Sequence, residues 1–515
     1  MSSVADAVIA RLCAAGVKFL FGVPGGGGNL DLVDAARRAG LPFVLTATET
    51  GGAIAAIAQA EVTGAPGGCL TTLGPGVASV VNGVACAMLE RAPLIVFTDA
   101  YASTTEFAHQ RLDHRVLVAP ITKWSATISA DNADDVIAEA LARAMAHPRG
   151  PVHIECPGEV FSRKSQVVSH ESKVNRRPMT DDRLITRDLE LMTAAAKPLL
   201  IAGLDARDAA STAAIRELCA AKRIPAMVTY KAKGVVPDDD PHFAGVFTNG
   251  FVERAIVEQA DAIVAVGLDD VELLPRPWSY TQPVVRASAS DLVELRDQTP
   301  VTTWDMPGVH RLVARQREAV CVPAEGLAPH RVVQIVARAA GSARVTVDAG
   351  AHMLPATLLW PVHEPNGMLI SNGLSTMGFA LPAAIGAALL QRGPAGRHDH
   401  VVALTGDGGL LMCAGELLTT VRERLPIVVV VFNDASLSLI DIKQRQRKLD
   451  EAGVSLGDVD WRALAAGVGM AAHAATTERE LQDAIGRALD HTGPTLIDAR
   501  VDPRGYSAML KAVRG

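Results

Sequence analysis

Two carboxylates at the ends of apolar runs carry the most chemistry in this chain. Val401-Val402-Ala403-Leu404 leads into Gly406-Asp407-Gly408-Gly409, and Ile427 to Phe432 leads into Asn433-Asp434. Glycines after a strand let backbone N–H groups approach an anion, and the start of the next helix favours negative charge. Asp407 offers a hard oxygen to a divalent cation. A lone Gly-Asp-Gly would be only a turn. A second oxygen-bearing residue at the end of a neighbouring strand makes the pair a diphosphate–metal site, because ligands of an open parallel sheet collect at its carboxyl edge. A separate carboxylate, Glu49, stands in Thr46-Ala47-Thr48-Glu49-Thr50-Gly51-Gly52 after the apolar Phe43-Val44-Leu45. Taken alone it is a first-turn glutamate that complements a helix dipole.

Short Val/Ile/Leu runs alternate with Ala-rich helical stretches, which predicts an α/β protein of parallel sheets covered by helices on both faces. At 515 residues the chain is too long for one core. Breaks in the pattern, the polar and basic stretch 166–187 and the run Cys321-Val322-Pro323-Ala324-Glu325-Gly326, divide it into domains at 1–170, 186–320 and 328–515. The middle piece holds two strand-to-glycine turns, at Gly203 and Gly267, but neither forms GxGxxG with a following acid, so a dinucleotide fingerprint is absent. Met1 to Gly16 reads as an amphipathic helix without the basic start of a signal peptide, and no apolar run approaches a membrane span. A net charge of −7 gives no reason for nucleic acid or an anionic membrane as partner. Seven scattered cysteines with no CxxC pair point to a reducing cytoplasm rather than a disulfide framework.

The Gly-Asp-Gly and Asn-Asp pairing resembles the thiamine-diphosphate signature of the acetolactate synthase, pyruvate oxidase and benzoylformate decarboxylase family, which carries Asn-Asn at this spacing. Its second Asn is Asp434 here. The resemblance implies Mg²⁺ on Asp407, on Asp434 and on the carbonyl of Ser436, with Gly408 and Gly409 against the diphosphate. Upstream, Phe21-Gly22-Val23-Pro24-Gly25-Gly26, Glu49 and Thr71-Thr72-Leu73-Gly74-Pro75-Gly76 resemble the family's FGxPGG, catalytic Glu and TSGPG in register. Glu49 is thereby implied as the acid that engages the cofactor's pyrimidine N1′, with Gly26 beside it. Gly350-Ala351-His352 resembles a GQH segment that touches the diphosphate through its glycine and His. Ser375-Thr376-Met377-Gly378-Phe379 resembles a GTMGxG segment in which Met377 wedges the cofactor's two rings into a V and the Ser375 carbonyl binds its amino group. The resemblance is nearest to the acetolactate synthase large subunit, and it further implies a pyrimidine-binding first domain, a Rossmann-like middle domain that holds FAD in some members and nothing in others, and a diphosphate-binding third domain. It also implies a homodimer or homotetramer whose active sites lie at the dimer interface.

The family's common opening is decarboxylation of a 2-oxo acid to an enamine, and the fate of that species depends on the pocket. Gln110 and Lys123 keep the Phe-Gln…Lys spacing of acetolactate synthases, whereas the Phe is His109, which adds a titratable proton donor. Gly27, Leu439 and Ile440 complete the expected pocket. Lys443 occupies the position of a specificity Trp in biosynthetic acetohydroxyacid synthases. The implied reaction is transfer of the enamine to a second carbonyl. Simple decarboxylation to an aldehyde is the alternative, and a non-catalytic relative is the remote one.

Overall fold

The computed structural model describes residues 3–102, 105, 108–161, 186–391 and 400–515. Apart from its last two positions, the stretch 166–187 expected as a linker lies outside the described residues. Three all-parallel sheets follow one another along the chain. The first contains β1 (Leu20–Val23), β2 (Phe43–Leu45), β3 (Gly67–Thr71), β4 (Leu94–Ala100), β5 (Trp124–Thr127) and β6 (Val152–Pro157), in the order β2-β1-β3-β4-β6-β5. The second contains β7 (Pro198–Ala202), β8 (Ala226–Val228), β9 (Phe243–Val246), β10 (Ala262–Val266) and β11 (Val284–Ala287), ordered β11-β10-β7-β8-β9. The third contains β12 (Arg344–Val347), β13 (Met368–Ile370), β14 (Val401–Gly406), β15 (Ile427–Asn433), β16 (Ala471–Ala475) and β17 (Thr495–Arg500), ordered β13-β12-β14-β15-β17-β16. The architecture is α/β throughout, and each sheet falls within one of the three expected spans.

Strands that read as unbroken apolar runs are the central ones, buried on both faces; every residue of β15 is buried. The N-terminal segment forms the helix Val4–Ala14, started by a Ser3–Asp6 capping box. The helix Glu49–Thr63, rich in Ala and Gly, packs along Ala380–Leu390 of the third domain, so the first and third domains share one core that runs from Ala53–Ala58 to Phe379–Leu389. Small residues set that approach: a Cβ at Gly386 would overlap the Ala55 carbonyl. Beside this contact the Glu416 carboxylate accepts the N–H groups of Ala47 and Thr48, each at 3.1 Å. Deeper in, Lys231 of the middle domain donates to Glu61 and Glu90 of the first domain and to the Ile370 carbonyl of the third. A buried charge is tolerated there because it is paired and fully hydrogen-bonded. Among the described residues no helix is long and apolar enough to cross a membrane.

Candidate functional site

At the carboxyl edge of the third sheet, β14 ends in Gly406 and the helix Asp407–Cys413 begins at once. Asp407 Oδ1 accepts the Gly408 N–H at 2.7 Å, and Oδ2 accepts those of Asp434 (3.2 Å) and Ala435 (2.6 Å). The turn after β15 is thus pinned to the turn after β14. Asp434 is held in place by the Ser436 N–H and the Ser438 hydroxyl. Burial raises the pKa of both acids, that of Asp434 to about 6, and the neighbouring Asp407 charge adds to the shift. Two carboxylates that disfavour their own ionisation are a site in deficit of positive charge, which a divalent cation would supply. Asn433, by contrast, turns away: its amide donates to Asp498 at 2.8 Å.

The opposite wall comes from β12. His352 is buried and stacked on Phe432, with ring centroids 5.1 Å apart, and only glycine fits beside it, since a Cβ at Gly350 would lie 2.7 Å from its ring. Burial lowers its pKa to about 4, so the ring is neutral at physiological pH, and among the described residues Nε2 has no hydrogen-bond partner. Ser375 has φ +55°, and the Met377 methyl would lie 3.4 Å from a Cβ at Gly408. Gly409 admits no side chain because the Asp348 carboxylate occupies that space. Asp348 accepts from Ala349 N, Gly378 N, Phe379 N and Thr405 Oγ1 at 2.9–3.1 Å, and burial raises its pKa to about 6. It fastens the Met377 turn to the end of β14. Sequence reading missed it; the available signal was an acid at a strand's carboxyl end, in Val345-Thr346-Val347-Asp348.

These groups enclose a cavity of about 280 Å³ that is lined by Gly350, His352, Ser375, Met377, Asp407, Gly408, Gly409, Asp434, Ser436, Leu439, Ile440 and Lys443, together with Leu437, Tyr506 and Arg514, which the sequence did not single out. Every lining residue belongs to the third domain. Glu49 does not line it. That residue starts its helix on the first domain, half-buried; its carboxylate lies 3.3 Å from the position a Cβ at Gly76 would take and makes no hydrogen bond among the described residues. Gly26 and Gly27 lie in the loop before the helix Gly28–Ala39, where the Gly27 N–H is held by Asp99 at 3.1 Å. His109 and Gln110 are exposed, Gln110 with φ +60° against the Gly74 turn. Lys123 is committed elsewhere: its ammonium donates to the carbonyls of Arg143 and Ala146, both at 2.6 Å, at the end of the helix Ala133–Met145.

The carboxyl edge of the middle sheet is closed. Leu204 N–H donates to Glu272, Asp205 N–H to the Gly267 carbonyl and Ala206 N–H to the Gly203 carbonyl, while Asp208 takes the N–H groups of Ala210 and Ser211. Among the described residues these N–H groups of the Gly203 turn are already engaged by the chain itself. A larger cleft of about 1550 Å³ between the first and middle domains, lined by Arg91, Asp205 and Arg207 among others, contains none of the site residues.

Comparison with known proteins gives three consecutive matches to family models: Thiamine pyrophosphate enzyme, N-terminal TPP binding domain over residues 2–115, central domain over 185–293, and C-terminal TPP binding domain over 348–499. The chain is 28% identical to an acetolactate synthase of Bacillus subtilis, over 97% of this chain and 93% of the relative. It is 28% identical to the large subunit of acetolactate synthase isozyme 2 of Escherichia coli (96% and 95%), and 29% identical to a probable 2-ketoarginine decarboxylase of Pseudomonas aeruginosa (96% and 93%). The chain belongs to the thiamine pyrophosphate enzyme family, with acetolactate synthase large subunits among its relatives.

Proposed function

We propose that this enzyme decarboxylates a 2-oxo acid and transfers the product carbon to a second carbonyl, as an acetolactate synthase does. The observation that carries the reading is the cavity floor: two buried carboxylates beside a glycine turn and an orphaned imidazole nitrogen, a donor and acceptor set that suits a divalent cation bridged to a diphosphate. Asp407, Asp434 and the Ser436 carbonyl would hold Mg²⁺. Gly408 and Gly409 at the helix start would face the diphosphate, His352 would reach it only by taking up a proton at Nε2, and Gly350 leaves room for the ring. Met377 would support the cofactor, and the Ser375 carbonyl would accept from its amino group. Bound there, thiamine diphosphate would supply a nucleophilic carbon and an electron sink for the decarboxylation.

Glu49 would hold the proton at pyrimidine N1′, and since it does not line the cavity of its own chain, the reading takes it from a second copy. A homodimer, or a tetramer of two such pairs, in a cytoplasm that keeps the cysteines reduced, is the working form. Gly26, Gly27, His109 and Gln110 approach from the same first-domain edge. Leu439 and Ile440 line the substrate side and exclude water, which favours attack on a second carbonyl over protonation. Releasing a free aldehyde is the second reading, and His109 favours it, being an exposed imidazole able to donate a proton. Product analysis by chromatography, with thiamine diphosphate, Mg²⁺ and pyruvate, separates the two. Acetolactate as the main product is expected; mostly free acetaldehyde selects the decarboxylase, and no CO₂ from a broad panel of 2-oxo acids contradicts both.

A further inference from the structure

Two basic side chains on the rim of the third-domain cavity have no partner of their own. Lys443 stands on the helix Ser438–Gln446, Arg514 ends the helix Tyr506–Arg514, and both line the cavity beside Leu439 and Tyr506. Among the described residues neither the Lys443 ammonium nor the Arg514 guanidinium makes a hydrogen bond or ion pair; Arg514 contributes only its carbonyl, to Arg276. Nearby arginines differ in this respect. Arg445 is tied to Asp441 at 2.8 Å, Arg500 to Asp458 at 2.9 Å and Arg504 to Asp502 at 2.6 Å. Other cations of this domain, Arg447, Lys448 and Lys511 among them, also make no side-chain pair, but among the described residues Lys443 and Arg514 are the lysine and arginine that line the cavity.

Their placement separates them from the acidic floor. Ser438, the first residue of its helix, bonds Asp434, and Lys443 lies a turn and a half further on, about 7.5 Å along the axis. The acidic pair suits a cation with a diphosphate, whereas Lys443 lies beyond Leu439 and Ile440 along its helix and Arg514 lines the same cavity. An anion at the rim therefore belongs to the reacting molecules rather than to the metal.

Resting on the carboligase reading, we propose that Lys443 and Arg514 form an anion-reading rim, which binds a carboxylate of the substrate pair that is not lost as CO₂. That carboxylate is either the distal group of a dianionic donor or the carboxylate of an acceptor 2-oxo acid; the chemistry of recognition is the same. The guanidinium fork suits a carboxylate's two oxygens, and a point charge from the second helix adds to it. The same rim rejects a cationic side chain by like-charge repulsion, so a substrate such as 2-ketoarginine, named for one relative, is disfavoured here.

The test uses the enzyme loaded with thiamine diphosphate and Mg²⁺, in two arms. The donor arm compares kcat/KM for CO₂ release from 2-oxoglutarate with that from 2-oxohexanoate, a neutral-tailed acid of similar length. The acceptor arm compares, with pyruvate as donor, carboligation to 2-oxobutyrate with carboligation to propanal. In at least one arm the anionic compound is expected to lead by about tenfold or more, the scale of one charge-assisted contact. That ratio should fall at least fivefold in Lys443→Ala and in Arg514→Ala, mainly through KM, be retained in Lys443→Arg, and weaken as salt rises from 50 to 300 mM. Movement in the donor arm assigns the rim to the donor, and movement in the acceptor arm assigns it to the acceptor. Ratios unchanged in both arms, with CO₂ still released, overturn the rim and leave the carboligase reading standing. Absence of CO₂ from every 2-oxo acid overturns the reading beneath it.

Discussion

The first and third sheets have the same strand order, yet their carboxyl edges treat acidic residues in opposite ways. At the first edge Asp99, the penultimate residue of β4, is satisfied by the chain itself, by the N–H groups of Gly27 (3.1 Å) and Asn29 (2.8 Å). A Cβ at Gly25 would overlap its carboxylate, so the loop is drawn tight over it. At the third edge Asp407 and Asp434 face one another beside an imidazole nitrogen with no partner, around open space. One edge satisfies its own acid; the other holds an acidic pair that a cation and an anion would complete. Topology alone does not distinguish them. Function resides in the polar groups that the fold leaves unsatisfied.

The sharpest way to break this comparison is to disable each edge in turn. Glu49→Gln should lower turnover by about 10²- to 10⁴-fold, the range for loss of a positioned acid–base group, while thiamine diphosphate still binds. Asp407→Ala should abolish turnover by a different route, weakening cofactor affinity about 100-fold. Cofactor titration by fluorescence alongside steady-state rates distinguishes the two; loss of binding in both variants, or in neither, breaks the division of labour. Next in size, Asp348→Asn places an amide donor against backbone N–H groups that now point at a carboxylate, and should destabilise the protein by about 2–3 kcal/mol in thermal or denaturant unfolding.

A matched pair sharpens the contrast further. Asp434→Asn keeps shape and oxygen, so cofactor affinity should stay within about threefold or tighten as a surplus charge is removed, whereas Asp434→Ala should weaken it about 10-fold. At the first edge, Asp99→Asn should cost about 1–2 kcal/mol of stability, because one N–H loses its acceptor, and leave cofactor affinity where it was. Isothermal titration with Mg²⁺ present reads both; a change of affinity in the Asp99 variant would show that the two edges are not separate in kind.

The smallest effect comes from the closed middle edge. Burial raises the Glu272 carboxyl to about 7, against hydrogen bonds from Thr229 and Leu204. A raised folded-state pKa contributes stability that is complete below the ordinary glutamate range and is lost as pH rises to about 7. Glu272→Gln removes this titration, so its unfolding free energy should fall less than that of the wild type between pH 5 and 8, by about 1–2 kcal/mol. An unchanged pH profile would mean that this edge is not sealed around a protonated acid.

Much of the third edge was legible in the sequence alone, because apolar runs that end in Gly-Asp-Gly and Asn-Asp declare buried parallel strands with oxygen side chains at their ends. What spacing could not convey is where side chains turn. Asn433 sits beside Asp434 in the sequence but bonds Asp498, a residue of β17. Lys123 has the residue type of a substrate contact, yet its long stem carries the ammonium to two helix-terminal carbonyls. Asp348 escaped notice because its role consists of hydrogen bonds from segments at 378–379 and 405, which no local pattern reveals. Arg514 differs from Arg500 and Arg504 in lining the cavity without an ion pair among the described residues, which is a matter of side-chain direction. The polar stretch 166–187 lies mainly outside the described residues, so the first domain boundary stands as read from composition.

The central claim is that Glu49 of one copy meets Asp407 of another. Chains carrying Glu49→Gln and Asp407→Ala, co-expressed with different affinity tags and purified as hybrids, test it directly. A hybrid dimer contains one site with both native residues, so it should recover about half of the wild-type turnover although each parent is inactive. A hybrid as inactive as its parents would place both residues of each site on the same chain and contradict the account.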